Sequence, residues 1–169
     1  MSVGLPQWIV LAVAALRLIE IIYAKRNAER LITDGGREVG AGHYPLFILL
    51  HGGWLAALFF TVSADAAIVW PLVGVFVALQ LGRLWVIAAL GRYWTTRIIT
   101  VSSAPLVRRG PYRLLRHPNY AIVASEIAVL PLVFGAWWIA ISFTMLNAAL
   151  LAFRIHIENA VLAERERQV

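Results

Sequence analysis

The chain of 169 residues is 61% hydrophobic and only 14% charged, with no cysteine, a formal net charge of +6 and a mean hydropathy of +0.77. Soluble domains carry roughly 25% charged residues, so most of this chain faces lipid or other apolar helices, and its length favours a single domain, residues 1–169. The missing cysteine excludes a disulfide framework, a thiol nucleophile and a thiolate metal site, and the basic residues flank apolar runs, which is the pattern of a membrane protein with no nucleic-acid partner.

Five apolar segments follow in order, each measured against the ~20 mostly apolar residues that a spanning helix needs. The first runs from about Leu5 to Ala24. It lacks a basic leader and a small-residue cleavage site, so it is expected to remain as a span and not to be removed as a signal peptide. Within it Arg17 and Glu20 are neighbours on one helical face, where pairing lowers the cost of charge at membrane depth; a packing or orienting role is expected of them. The second segment, about Tyr44 to Ser63, carries His51 and the pair Gly52-Gly53. The third, about Ala66 to Leu90, has Gln80 and Arg83 on one face. The fourth, from near Asn119 to near Phe134, is short unless other helices enclose it. The fifth runs from about Ala136 to Ala163, and Gly135 leaves only a tight turn before it. The last two segments are therefore expected to form an antiparallel helical hairpin.

The positive charges alternate between loops. Lys25, Arg26, Arg30 and Arg37 lie in the first loop, and Arg92, Arg97, Arg108, Arg109, Arg113 and Arg116 in the third. Arg165 and Arg167 lie in the C-terminal tail, whereas the loop around Ala64-Asp65 and the turn at Gly135 have none. The expectation is an all-α integral membrane protein of five transmembrane helices, with the N-terminus outside and the C-terminus in the cytoplasm. Residues 1–90 supply three spans, and residues 91–169 supply a cytoplasmic cofactor-binding loop and the C-terminal hairpin. The third loop is too long for a plain connector. Arg97-Ile98-Ile99-Thr100-Val101 reads as extended and Ser102-Ser103-Ala104-Pro105 as a turn. Irregular backbone beside a membrane must be buried in protein or line a wet cavity, so a folded binding loop is expected.

The stretch from Gly110 to Tyr120, Gly-Pro-Tyr-Arg-Leu-Leu-Arg-His-Pro-Asn-Tyr, organises the rest. Pro111 and Pro118 mark breaks, and Pro118 suits the first turn of a helix beginning near Asn119. Free N–H donors at that helix start, with the arginines beside it, favour a ligand with anionic or hydrogen-bond-accepting parts; a loop whose arginines only set orientation is the plainer alternative. In the last segment Asn147, Arg154 and Glu158 share a stripe, and in the fourth Asn119 and Glu126 do. In a hairpin these stripes are expected to face each other across a pocket, with a packing salt bridge between Glu126 and Arg154 as the alternative. His43, His51, His117 and His156 have no metal-ligand spacing. Neither a glycine-rich phosphate loop nor a Gly-x-Ser-x-Gly elbow is present.

Leu106-Val107, Gly110-Pro111-Tyr112 and Arg116-His117-Pro118-Asn119-Tyr120, followed by a hairpin and Arg154-Ile155-x-x-Glu158, resemble the isoprenylcysteine carboxyl methyltransferase family. The resemblance covers about Gly91 to Glu164, a region the family shares with phospholipid N-methyltransferases. His43-Tyr44 and Gly91-Arg92-Tyr93-Trp94-Thr95 look more like the bacterial members that O-methylate long-chain alkylpyrones or alkylresorcinols. The resemblance implies S-adenosylmethionine as methyl donor, bound on the cytoplasmic side, a lipophilic small-molecule acceptor, contact with membrane lipid, and a place in a bacterial plasma membrane. It also implies a cofactor pocket at Leu106, Val107, Tyr112, His117, Pro118, Asn119, Tyr120 and Glu158, with Arg154 on the acceptor side. Where many members have two successive acidic residues, Glu158 is followed here by Asn159, which leaves the acceptor group open among prenylated cysteine, alkylpyrone, alkylresorcinol and phospholipid.

Methyl transfer is an in-line displacement that needs no metal and no covalent enzyme intermediate, only two reactants held in line with little water between them. Tyr112 and Tyr120 suit the adenine or the sulfonium, which a ring face attracts. Glu158 suits ribose hydroxyls or the donor's ammonium, Arg154 an acceptor carboxylate or phenolate, and Glu126 is assigned as a base for a neutral hydroxyl. Two other classes fit the composition: a small transporter or lipid-binding protein, from the charge on several spans, and a membrane reductase using a nicotinamide cofactor.

Overall fold

The computed structural model describes residues 3–101 and 107–166. Five helices carry the fold: α1 (Leu5–Thr33), α2 (Tyr44–Thr61), α3 (Trp70–Leu90), α4 (Pro118–Val133) and α5 (Trp137–Glu166). Two short strands, β1 (Arg37–Val39) and β2 (Ile98–Thr100), are the one departure from an all-α chain among the described residues. α1, α2, α3 and α5 are long and apolar enough to cross a membrane. α4, at 16 residues, extends only about 24 Å against a hydrocarbon core of about 30 Å. It is accommodated because it lies inside, packed against α3 and α5, with Val123, Ile127, Leu130 and Val133 all buried. The outward faces of the other helices carry exposed Ile19, Leu49, Leu81 and Met145, an inside-out distribution that suits lipid and not water.

Local chemistry explains the element ends. Gln7 accepts a hydrogen bond from the Gly4 amide at 3.0 Å and donates to the Val62 carbonyl at 2.7 Å, tying the start of α1 to the end of α2. Gly135, at φ +69° in the left-handed region, closes the α4–α5 hairpin, where the Ala136 amide reaches the Pro131 carbonyl at 2.9 Å. At the other end Asn27 of α1 donates to the carbonyls of Gly91, at 3.2 Å, and Trp94, at 2.9 Å. This satisfies the terminus of α3 and holds the beginning of the third loop. The loop then enters β2, which pairs antiparallel with β1 in the register Arg37↔Thr100 to Val39↔Ile98. The extended backbone expected at Arg97–Val101 is present, and its partner comes from the first loop. Both basic loops therefore lie at the same end of the bundle. The turn at Ser102–Pro105 falls outside the described residues.

Between the two ends, α1, α3 and α4 enclose a polar network. Arg83 contacts Glu20 at 2.9 Å and Glu126 at 2.8 Å, and Arg17 contacts Glu20 at 2.9 Å and Glu126 at 3.6 Å. Gln80 donates to Glu126 at 2.7 Å and accepts from Arg17. Two guanidinium groups thus meet two carboxylates, and the packing role expected of Arg17 and Glu20 has a physical basis. The expectation for Glu126 is corrected. It does not face Arg154 across a pocket or pair with it, because it lies eight residues into α4, about 12 Å from Pro118, where the two arginines of α1 and α3 take up its carboxylate.

Candidate active site

A cavity of about 750 Å³ opens where the third loop folds over the start of α4 and the end of α5. Its size is that of a small-molecule or cofactor site. Val107, Tyr112, His117, Asn119, Tyr120, Arg154 and Glu158 all line it, so seven residues named from the sequence meet in one space. Pro118 is buried at the first position of α4 and shapes the backbone without lining the cavity. Leu106 lies outside the described residues, and Glu126 does not line the cavity.

The geometry follows from how α4 begins. Pro118 occupies the first turn, where its missing N–H costs nothing, and His117 precedes it with extended φ −128°. The Tyr120 amide reaches back to the His117 carbonyl at 3.1 Å, and the two rings stack with centroids 5.3 Å apart. That stacking aims the Tyr120 hydroxyl at α5. There it accepts a hydrogen bond from Arg154 Nε at 2.7 Å and donates to the Glu158 carboxylate. His117 Nδ1 stands 3.8 Å from the same Glu158 oxygen, and His117 Nε2 is bonded to Asn159 Oδ1 at 2.9 Å. Asn159 is thus a ring-orienting partner of His117, a part its position after Glu158 does not announce.

Arg154 is buried, yet among the described residues it meets no carboxylate within ion-pair distance. Its second hydrogen bond runs from Nη2 to the backbone carbonyl of Thr96 at 2.8 Å, and the rings of Phe47 and Tyr120 flank its Cζ at 5.2 and 5.6 Å. Thr96 has no sequence signal for this part, since a backbone carbonyl looks the same in every residue. Tyr112 sits in a single 3₁₀ turn, Gly110–Arg113, that leans on the last turns of α3, where Arg109 Nε donates to the Ala89 carbonyl at 2.8 Å. Burial raises the Tyr112 phenol above its ordinary value, and the negative charge of Glu158 adds to the shift. Arg113 and Arg116 complete the cavity lining with positive charge.

These residues fit a nucleoside-bearing cationic donor. Asn119 Oδ1 is buried without a hydrogen-bond partner among the described residues, which suits a ligand N–H or hydroxyl. Glu158 Oε1 makes no hydrogen bond among the described residues, so it remains available to hydroxyls or an ammonium. Tyr112 and Tyr120 supply ring surface in the same cavity.

The sequence profile of the isoprenylcysteine carboxyl methyltransferase (ICMT) family matches residues 72–164, more than half of the chain and all of the cavity-forming part of α4. A relative from Bacillus subtilis (strain 168), named as the uncharacterized protein YpbQ, is 33% identical over 166 residues, covering 93% of this chain and 96% of the relative. No solved structure matches the chain. With the cavity, the helical bundle and the profile match in agreement, the chain belongs to the isoprenylcysteine carboxyl methyltransferase family and is a membrane methyltransferase.

Proposed function

We propose that the protein transfers a methyl group from S-adenosylmethionine to an acidic oxygen of a lipophilic small molecule, such as an alkylpyrone or alkylresorcinol. The observation that carries this reading is the bridge of Tyr120 between Glu158 and Arg154, a carboxylate and a guanidinium that meets no carboxylate within ion-pair distance among the described residues, within one cavity. Tyr112, His117, Asn119, Tyr120 and Glu158 form the donor side and Arg154 the acceptor side. When bound, the donor supplies an electrophilic methyl on a sulfonium, so that an O–CH₃ bond forms as the S–CH₃ bond breaks and a neutral thioether leaves. The protein's part is to hold the two reactants in line and exclude water between them.

Arg154 separates the acceptor classes. A buried guanidinium with no carboxylate at ion-pair distance among the described residues favours an anion and repels an amine that carries a proton, so it supports O-methylation over phospholipid N-methylation. An enolate, a phenolate and the carboxylate of a prenylated cysteine share the chemistry it would recognise. Ionised acceptors need no base, which agrees with Glu126 being held in the charge network. That network also removes the motive for a transporter, because its charges are paired with one another. The alternation of basic loops supports a cavity on the cytoplasmic side of a bacterial plasma membrane, with the N-terminus outside.

Calorimetry on detergent-solubilised protein tests the donor. Saturable binding of S-adenosylmethionine or its demethylated product is expected, and no binding ends the proposal. Incubation with labelled donor and separate panels of alkylpyrones, alkylresorcinols, prenylated cysteine and phospholipids tests the acceptor. Label in a methyl ether of a pyrone or resorcinol is expected, and label confined to a methyl ester or a methylamine overturns the acceptor assignment.

A further inference from the structure

We infer that the acceptor end of the site is completed from outside the family-matched region, by Tyr44 and Phe47 in the first turn of α2, which hold Arg154 in position and so set acceptor choice. The inference rests on the reading of Arg154 as the acceptor-binding cation. The profile match begins at residue 72, so both residues lie in the part of the chain that it does not cover.

Three nitrogens of a planar guanidinium fix its orientation, and two of those of Arg154 are already bound. Nε donates to the Tyr120 hydroxyl at 2.7 Å and Nη2 to the Thr96 carbonyl at 2.8 Å. Both partners are neutral oxygens. Arg83, equally buried, instead contacts two carboxylates. Among the described residues Arg154 is therefore not paired directly with a carboxylate, and Nη1 carries donors left for a ligand.

The Thr96 carbonyl is not part of a strand ladder. Thr96 lies between the 3₁₀ turn Gly91–Tyr93 and β2, in irregular backbone. A side-chain hydrogen bond holds it, Thr96 Oγ1 donating to the Tyr44 hydroxyl at 3.2 Å. The Tyr44 ring is itself held, with the Arg97 guanidinium 5.1 Å from its centroid and Arg97 paired to Glu38 of β1 at 3.1 Å. β1, the start of α2 and the segment before β2 thus form one brace ending at Arg154. Tyr44 acts through Thr96 and is a positioning residue. Phe47 touches the guanidinium directly, with its ring centroid 5.2 Å from Cζ, so its bulk bounds the space beside the charge.

The test uses full-length protein in detergent, labelled S-adenosylmethionine, and a long-chain alkylpyrone with an ionisable ring hydroxyl as the acceptor probe. Tyr44→Phe and Thr96→Val each remove one partner of the bridge while keeping side-chain shape. Each is expected to raise acceptor KM about three- to tenfold, the range for one lost neutral hydrogen bond, with donor affinity within about twofold of the unaltered protein. The double variant is expected to be no worse than the more affected single one, because both remove the same interaction. Phe47→Leu is expected to change the preference between pyrone and resorcinol probes, and Phe47→Tyr to restore it. Unchanged acceptor KM in both bridge variants overturns the inference, as do effects that multiply in the double variant or a parallel loss of donor affinity. If the unaltered protein binds the donor but methylates none of the probes, the proposed function falls and this inference with it. If it is active and the variants match it, only this inference falls.

Discussion

Tyr120 and Arg154 share a hydrogen bond of 2.7 Å in which the guanidinium donates to a phenol oxygen whose own proton is committed to Glu158. The groups proposed to hold donor and acceptor are thus one connected unit, and the hydroxyl at its centre is the part whose loss both sides should feel. Tyr120→Phe keeps the ring on His117 and removes only that oxygen. Hydrogen bonds to charged groups are worth about 1.5–3 kcal/mol, so donor affinity is expected to fall by about tenfold or more and acceptor KM to rise with it. Calorimetry and initial rates measure the two separately. A change in only one of them would mean that Tyr120 serves one substrate and not the junction.

Glu158 and His117 test the proposed donor side more narrowly. Glu158 lines the cavity with Oε1 unbonded among the described residues, and the His117 ring is fixed between Tyr120 and Asn159. Glu158→Ala and His117→Ala are each expected to weaken donor binding, Glu158→Ala by more because it removes a charge facing a cationic ligand. Unchanged calorimetric affinity in both variants would show that the donor lies elsewhere.

The sequence made the helices legible because long apolar runs carry their own length and Gly135 its own turn. The position of each polar residue around a helix was legible too, since offsets of three, four and seven keep residues on one face. What stands opposite that face at each depth was not. Asn119 and Glu126 share a stripe on α4, but the first turns to the cavity while the second meets arginines from α1 and α3 about two turns away. β1 is three residues long, and its pairing with β2 depends on two loops about sixty residues apart, which no local pattern encodes. The Thr96 carbonyl and the Asn159 amide gain their parts only through that long-range arrangement.

Tyr112 gives the site a pH signature. Burial and the charge of Glu158 raise its folded value above the unfolded value of about 10. The fold favours the neutral phenol, so its contribution to stability is complete below about pH 10 and is lost as pH rises through the folded value. Ultraviolet titration should show late-ionising tyrosine absorbance that is smaller by one tyrosine in Tyr112→Phe. The thermal stability of the unaltered protein should also fall more steeply above about pH 10 than that of the variant. A Tyr112→Phe titration whose late component is no smaller than that of the unaltered protein would place that phenol in water.

Glu126 distinguishes a structural carboxylate from a catalytic one. Its side chain is 7% exposed, and it sits within reach of Arg17 and Arg83. Removing it leaves two buried guanidinium groups to share Glu20 alone. Breaking a buried pair by deleting one partner costs about 3–5 kcal/mol, whereas replacing both partners by apolar groups is often close to neutral. Glu126→Ala should therefore lower thermal stability in detergent markedly, and Glu126→Leu combined with Arg83→Met should recover part of the loss. Donor affinity and methyl transfer per folded molecule should hold in whatever fraction folds, because Glu126 does not line the cavity. The opposite outcome, full stability with transfer abolished, would make Glu126 the base and the charge network incidental.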